Sequence, residues 1–451
     1  MSGCGGQLDE MSAAVDAMRD CETRYNLRDM ERTTGGITVL DLGSPPDAEW
    51  CLHQLQEVET GCWFDRRATK GVSLVMIDPD CVVRSADGLW AVLDADAGKA
   101  GAGPFGFAGG WAGFISYEAA LSALGFAEEG GQTAVGHYPA ALVFDHALNR
   151  AYAVGRGPEG AVAAHRLASR LRGSPSRSSS ATFQVPRVLE DGPSEIAFVE
   201  QVRVVQDWIE AGDVYVANLT YRIHLDGLND PAAAYARLSS LHPAPYAAIM
   251  RHGEHWVLSS SPELLIQRRG EHAWTRPIKG TRPAREARML VDDPKERAEL
   301  AMIVDMERND LGQVACVGSV YVRNMFGVES HPGLVHLVAT VAANVRCPAG
   351  RLLRAMLPGG SITGAPKKRA VQLLRGLEAD RRGLYTGTIG FCDDGGDLEW
   401  NVAIRTFETT REECRYGTGG GITIDSNPRR EYAETRLKAA GPLRALGVPW
   451  G

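Results

Sequence analysis

Short apolar runs recur through the first part of the chain and predict buried strands. They are four to six residues long and lie at Ile37–Leu40, Val72–Ile77, Ala141–Phe144 and Ala151–Val154. Runs of this length, rich in Val, Leu and aromatic residues, are typical of strands covered on both faces. The polar stretch before them, residues 1 to about 35, lacks such runs. We expect it to be a loose extension or a peripheral helix.

The pattern changes after a stretch rich in Ser, Pro and Arg, Gly173 to Thr182, which buries too little apolar area to order itself. Ser194 to Gly212 has amphipathic periodicity with a Ser-Glu start and a glycine stop, which predicts a helix. We therefore expect an N-terminal region (residues 1–172), a linker (173–193) and a catalytic region (194–451). The pattern alone indicates mixed α and β structure in two parts.

Composition and charge indicate which partners and which cell compartment to expect. The chain has 451 residues, 44% of them hydrophobic, with a net charge of -8 and a pI near 5.8, so we expect neither a nucleic-acid nor a membrane partner. The N-terminus has no basic, apolar signal-peptide pattern, and no apolar run approaches membrane-spanning length. Nine scattered cysteines without a CxxC pair favour reduced thiols. We expect a cytoplasmic protein.

A single lysine in the second half is the strongest chemical signal. Lys279 lies between Ile278 and Gly280, sixteen positions after Glu263. An amine in apolar surroundings can be tuned toward neutrality and act as a nucleophile, and a nearby carboxyl group can protonate a leaving group. The alternative, a solvated lysine in a turn and a capping glutamate, is favoured by composition alone.

Two pairs of glutamates are candidates for a metal site. Glu296 and Glu299, and likewise Glu431 and Glu434, are three residues apart in segments with helical pattern, so each pair occupies one helix face. Two such faces that meet would form an all-oxygen site suited to Mg²⁺. Surface salt bridges with neighbouring basic residues are the alternative for each pair.

Further candidates could hold an anion. The glycine run Gly417–Gly421 predicts a turn whose backbone N–H groups cradle an anion, with a plain glycine hairpin as the alternative. Arg405 lies between apolar neighbours, where a carboxylate partner would offset its burial; a core ion pair is the competing interpretation. Tyr385 and Lys438 are further donors. Together these residues suggest Mg²⁺-assisted chemistry on a small polycarboxylate.

Read in order, residues 194 to 447 resemble the chorismate-utilising enzymes. The segments that carry the resemblance are Ser260–Glu263, Pro277–Thr281, Asp293–Glu299, Met302–Asp305, Arg308–Gly312, Gly359–Lys367, Tyr385–Gly387, Gly419–Gly421 and Glu431–Lys438. The first half matches mainly at Gly109–Trp111. The resemblance implies an α+β fold: a large sandwich of two antiparallel sheets with helices outside, built from both halves of the chain.

Within that family the resemblance is closest to the aminodeoxychorismate synthases, because anthranilate synthases usually carry alanine where Lys279 stands. It implies Mg²⁺ bound by Glu299 and Glu434, with Glu296 and Glu431 close by or through water. Lys279 would add at C2 of chorismate while Glu263 protonates the departing C4 hydroxyl, and ammonia would then add at C4. By the same resemblance the pyruvyl carboxylate is held by Tyr385, Arg405, Gly419, Gly420 and Gly421. Substrate or site-wall contacts are implied for Lys438, Thr281 and Ser361, with His336 near the ring.

Two positions depart from the family pattern. Val216 stands where relatives commonly have glutamine or a water-activating lysine, which argues against an isochorismate or salicylate synthase. Arg66 stands where the serine of a tryptophan-pocket motif is expected. We expect ammonia to come from a separate glutamine amidotransferase subunit. The alternatives are an anthranilate synthase component and a non-catalytic relative; the pathway served, folate or a specialised aminated aromatic, stays open.

Overall fold

The computed structural model describes residues 31–95, 103–127, 130–173, 183–283, 285, 287–331 and 334–450. The prediction of a loose extension or a peripheral helix concerns residues 1–30 in large part, and these lie outside the described residues. Glu31–Thr34, however, forms a strand paired with the next one, so the prediction of a loose or helical segment is wrong there. Residues 174–182 of the predicted linker (173–193) also lie outside the described part of the chain. Within the described remainder, Gly173 ends a helix and Val188–Glu190 forms a strand, so the linker prediction is wrong there.

The helices of the described residues are α1 Ala48–Glu57, α2 Ala86–Ala95, α3 Tyr117–Ala120, α4 Gly157–Gly173, α5 Glu195–Glu210, α6 Pro231–Leu241, α7 Ala287–Asp292, α8 Pro294–Gly312, α9 Ala349–Met356, α10 Lys367–Leu374 and α11 Pro428–Ala445. Short 3₁₀ turns lie at Arg67–Thr69, Leu121–Leu124 and Gly360–Ile362.

The strands are β1 Glu31–Thr34, β2 Ile37–Gly43, β3 Thr60–Asp65, β4 Val72–Ile77, β5 Cys81–Val83, β6 Gly110–Ile115, β7 Thr133–Tyr138, β8 Ala140–Asp145, β9 Arg150–Arg156, β10 Val188–Glu190, β11 Val216–Asp226, β12 Tyr246–His252, β13 His255–Ser261, β14 Leu264–Arg269, β15 His272–Arg276, β16 Ile278–Pro283, β17 Tyr321–His331, β18 Leu334–Asn344, β19 Gly364–Ala365, β20 Thr388–Asp393, β21 Leu398–Val402, β22 Thr406–Thr409 and β23 Glu413–Ile422.

These strands form two antiparallel sheets, each built from both halves of the chain. The larger has the order β1-β2-β9-β8-β4-β3-β12-β13-β22-β23-β11-β10, with β19 beside β11. The smaller has the order β16-β18-β15-β14-β21-β20-β6-β7-β5, with β17 beside β18. The predicted α+β fold with two large antiparallel sheets is confirmed.

Three apolar clusters hold the sheets and helices together. In β8, Leu142 and Phe144 face the cluster under α1, α4, α5, α6 and α11, whereas Ala141 and Val143 face a cluster shared with the smaller sheet. A continuous apolar run is thus buried on both faces, as its sequence predicts. The third cluster packs α2, α8 and α9 on the outer face of the smaller sheet. The architecture is a sandwich with helices outside.

The two helices that carry the paired glutamates begin at strong caps. The Asp293 carboxylate accepts hydrogen bonds from the backbone N–H groups of Lys295 and Glu296 at the start of α8. The Asn427 side chain accepts one from the Arg430 N–H at the start of α11. Proline follows each cap, where its missing N–H is not needed. The helix N-termini, which favour negative charge, are therefore fixed where the glutamates lie.

The described helices include no segment long and apolar enough to cross a membrane. The cysteines in the described part are all unpaired.

Candidate active site

Lys279 lies on β16, opposite β18, and faces α8, the helix that carries Glu296 and Glu299. Its Nζ is 3.8 Å from Glu299 Oε2 on α8. The following Gly280 has φ +63, and a Cβ there would lie 2.4 Å from Leu290 Cδ1 and 2.9 Å from Glu296 Oε2. Glycine at this position therefore lets the helix with the glutamates approach the lysine strand closely.

Glu263 is buried in the two-residue connection between β13 and β14, with 6% of its surface exposed. The Ser361 hydroxyl donates a 2.7 Å hydrogen bond to its Oε1. Burial raises the pKa of Glu263; the Ser361 hydrogen bond and the charges of Lys279, Arg405 and Lys438 oppose that rise. The acid is thus surrounded by predicted site residues from separate parts of the chain, and burial keeps it a weaker acid than a free glutamate.

The glutamates of α8 and α11 face one another. Burial, then the negative charges of Glu299, Asp293 and Glu434, raises the pKa of Glu296. Burial also raises the pKa of Glu431, against a 2.7 Å hydrogen bond from Ser426. A divalent cation bound between these carboxylates would offset their mutual repulsion.

Lysine ammonium groups lie between these carboxylates. Lys295 Nζ is 3.6 Å from Glu299 Oε1 and 3.8 Å from Glu431 Oε1, so it links the two helices. Lys438 lies 2.9 Å from Glu434, and its charge lowers the pKa of that carboxyl group. No described group of three or more acidic, His or Cys side chains has donors gathered closely enough for a metal. The donor types fit Mg²⁺; the lysine contacts would have to rearrange around it.

The glycine run Gly417–Gly421 is not a turn, so that prediction is wrong. These residues continue β23, with Gly419, Gly420 and Gly421 opposite Thr220, Leu219 and Asn218 of β11. The absence of side chains serves a different purpose here. A Cβ at Gly420 would lie 3.7 Å from Lys438 Nζ, and one at Gly421 would lie 3.7 Å from Lys279 Nζ. The glycine backbone of β23 therefore lies directly against the amines of both lysines.

Arg405 occupies the loop before β22 in a left-handed conformation, φ +52. Its guanidinium forms no ion pair with any carboxylate of the described residues. Burial lowers the pKa of Arg405, with Tyr416 and Glu263 acting in the opposite direction. A buried cation without a carboxylate of its own is suited to an anionic ligand.

Four further predicted residues lie on separate elements of the fold. Tyr385 is buried with its ring against Gly417, where a Cβ would lie 2.0 Å from the ring. Burial raises the pKa of Tyr385 above its usual range. Lys438 Nζ donates to the Gly419 carbonyl at 3.2 Å. His336 is buried on β18 opposite Thr281 of β16. The side chain of Thr281 lies outside the described part.

The structure also reveals a residue that the sequence interpretation did not single out. Arg382 is 2% exposed and donates to the carbonyls of Ile362 at 2.8 Å and Asn218 at 2.6 Å. It thereby ties the turn that holds Ser361 to strand β11. Arg382 has no periodic or motif signal; only the convergence of distant segments identifies it.

Val216 begins β11 next to the site. A Cβ on Gly421 would lie 3.6 Å from Val216 Cγ2, beside Lys279 Nζ. An apolar side chain therefore lies close to the lysine at this position. Valine offers no group that could activate water.

The sequence is similar to those of known proteins. An aminodeoxychorismate synthase component 1 from Salmonella typhimurium is 39% identical over 58% of this chain and 60% of its own length. An anthranilate synthase component 1 from Haloarcula marismortui is 40% identical over 56% of this chain and 54% of its own length. The chain thus spans little more than half of these relatives.

A solved structure is also similar. Anthranilate synthase component I from Streptococcus pneumoniae superposes with a TM-score of 0.73 at 25% identity, over 83% of this chain and 92% of that one. Residues 62–444 match the family described as "chorismate binding enzyme", and this range includes every candidate site residue named above. The chain belongs to the chorismate-binding enzyme family.

Proposed function

We propose that this chain aminates chorismate at C4 to form 4-amino-4-deoxychorismate. The observation that carries the proposal is the placement of Lys279, with its amine 3.8 Å from Glu299 and beside the bare backbone at Gly421. A nucleophile there, with a buried acid in reach of the same ligand, supports displacement chemistry on the ring. The Salmonella relative, named an aminodeoxychorismate synthase component, also supports it.

The side chains take complementary roles. The Lys279 amine adds at C2 and both conjugated ring double bonds shift, which expels the C4 hydroxyl as water with the proton of Glu263. Ammonia then adds at C4 with the reverse shift and releases the lysine. Glu263 must carry its proton at the first step, and its raised pKa favours that state.

The anionic groups of the substrate need cationic partners. Mg²⁺ held by Glu299 and Glu434, with Glu296 and Glu431 close by, would supply a Lewis acid for the ring carboxylate. Arg405 and Tyr385, with the Gly419–Gly421 backbone, would hold the pyruvyl carboxylate at the other end. Lys438, Thr281, Ser361 and His336 complete the proposed wall.

The product decides between this proposal and its alternative. Purified chain with chorismate, Mg²⁺ and ammonium salt should give 4-aminobenzoate only after aminodeoxychorismate lyase is added. Fluorescent 2-aminobenzoate formed without the lyase would refute C4 amination and favour an anthranilate synthase, which the Haloarcula relative keeps as the second candidate. If chorismate is not consumed at all, the chain is a non-catalytic relative.

The ammonia source is the second part of the proposal. We propose a separate glutamine amidotransferase subunit, in line with the component 1 names of the relatives. With chorismate present, ammonium salts should support turnover by the purified chain, whereas glutamine should not until such a subunit is added. Glutamine hydrolysis by the purified chain alone would contradict this.

Replacing Arg405 by methionine should raise the KM for chorismate about 10- to 100-fold, because the variant loses a charge-assisted hydrogen bond to a carboxylate. The measurement is initial rate against chorismate concentration, with circular dichroism to check folding. The control is Arg411→Met, since Arg411 is exposed and its ion pair with Glu254 is long, at 3.9 Å. An unchanged KM would remove Arg405 from the substrate site.

We expect the enzyme to be insensitive to tryptophan. Arg66 stands where relatives carry the pocket serine, and its guanidinium donates to the Ala247 carbonyl at 2.8 Å and to Glu399 of the other sheet. The space between the sheets is therefore filled by an ion pair at this position. Initial rates should be unchanged by micromolar tryptophan; measurable inhibition would show that a pocket persists.

A further inference from the structure

A buried cluster of charged side chains lies behind the proposed acid and has no role in the chemistry described so far. Glu307 and Asp310, on successive turns of α8, are each 3% exposed. Lys367, at the start of α10, places its Nζ 2.5 Å from Asp310 Oδ2. Asp310 thus has a cation of its own. Glu307 Oε2 has no hydrogen-bond partner within the described residues, which is costly for a buried polar atom.

The cluster is connected to Glu263 through the short turn Gly360–Ile362. The Glu307 carboxyl group lies against Gly360 of this turn. A Cβ at Gly360 would lie 3.1 Å from Met306 Cε and 3.5 Å from Glu307 Oε1, so the turn packs directly on α8. The next residue is Ser361, whose hydroxyl donates to Glu263.

We propose that Glu307 is a positioning residue of the acid step: by packing against Gly360, it aims the Ser361 hydroxyl at Glu263. The inference rests on the proposed role of Glu263 as the acid. It assigns to Glu307 no contact with the substrate.

The electrostatic state of the cluster supports this role. Burial, then the negative charge of Asp310, raises the pKa of Glu307 to about 8; Lys367 opposes the rise, and Glu263 adds to it. Near neutral pH the group is therefore uncharged, and one cation balances one anion in the cluster. Above that pH the Glu307 charge would repel the forming Glu263 carboxylate and weaken it as an acid.

The test is a double-mutant cycle on kcat and KM for chorismate. Glu307→Ala should lower kcat about tenfold and leave KM within about twofold, because it removes a packing contact with the turn that is remote from the substrate. The double variant E307A/S361A should be no slower than S361A, since both changes disrupt one contact. An unchanged kcat in E307A, or losses that multiply in the double variant, would overturn the inference.

The isosteric Glu307→Gln keeps the packing contact with Gly360 and covers the case in which E307A does not fold. Near pH 7 its kcat should stay close to that of the wild type. Above about pH 8, the ratio of its kcat to the wild-type kcat should rise at least about twofold, since only the wild type gains a charge. A ratio that stays flat across that range would overturn the inference.

Stability gives an independent check on the protonation of Glu307. A carboxyl group with a raised folded pKa stabilises the fold at acid pH and loses that contribution as pH rises through about 8. The Tm of E307Q relative to the wild type should therefore rise by about 2–4 °C between pH 5 and pH 8.5. A constant difference would contradict the uncharged state.

The failure of the proposed function would look different. If the wild type consumes no chorismate, hydrogen exchange at residues 359–363 still decides the structural half of the inference. Faster exchange there in E307A than in the wild type would support it, and unchanged exchange would overturn it.

Discussion

Replacing Lys279 by alanine should reduce formation of 4-amino-4-deoxychorismate at least about 10³-fold, because removal of a nucleophile eliminates the covalent route. The fold should be little affected. The Lys279 side chain is 20% exposed, and the ion pair described for it is a 3.8 Å contact with Glu299. The measurement is mass spectrometry of the product after incubation with chorismate, Mg²⁺ and ammonium salt.

A matched control is Lys368→Ala, because Lys368 is exposed on α10 and its amine lies over the ring of Phe126. That variant should keep wild-type turnover. C4 amination by K279A within about tenfold of the wild-type rate would show that the lysine is not the nucleophile. Formation of 2-aminobenzoate by K279A would instead assign Lys279 to the choice between C4 and C2.

Replacing Arg382 by alanine should lower the free energy of unfolding by about 3–5 kcal/mol, because it leaves a buried carboxylate without its cation. The guanidinium is 2.7 Å from Glu378 Oε1 and lies 4.4 Å from the centre of the Tyr117 ring. Chemical denaturation, followed by tryptophan fluorescence, measures the change. The variant should also lose activity, since Arg382 holds the Ile362 carbonyl next to Ser361.

A double-mutant cycle separates the ion pair from general packing. Glu378 accepts bonds from both the N–H and the hydroxyl of Thr220, so E378A should be destabilising by itself. The double variant R382A/E378A should lose less stability than the sum of the single changes, because no unpaired buried charge remains. Arg203→Ala, at an exposed i,i+3 pair, should change stability by less than about 0.5 kcal/mol. Additive losses in the cycle would contradict the pairing argument.

The strands and helices that locate the site were largely predictable. The apolar runs of β4, β8 and β9 and the capped starts of α5, α8 and α11 all form where the sequence places them. Their signals are local: apolar periodicity, an N-cap and an early proline act within a few residues. The arrangement of two sheets shared by both halves came from the family resemblance, because long-range strand pairing leaves no local mark.

The errors arose where local chemistry and tertiary context disagree. Gly417–Gly421 has the composition of a turn, yet β11 pairs with it along its full length. Pairing of β1 with β2 likewise orders a polar segment that has no apolar run. In both cases backbone hydrogen bonds to a neighbouring strand override the preference of the residues themselves.

By itself the sequence determined which residue types were available for chemistry: a lone lysine, an upstream carboxyl group and two ExxE pairs at helix starts. Only the tertiary structure decided that they meet. Glu263 lies between two strands, and Ser361, 98 residues later in the chain, donates a hydrogen bond to it from a turn. Burial raises the pKa of Glu263 against the opposing charges of Lys279, Arg405 and Lys438. Burial also lowers the pKa of Arg405, which has no carboxylate partner among the described residues. Both effects depend on distances across the fold, and electrostatic interaction through space leaves no trace in the order of residues along the chain.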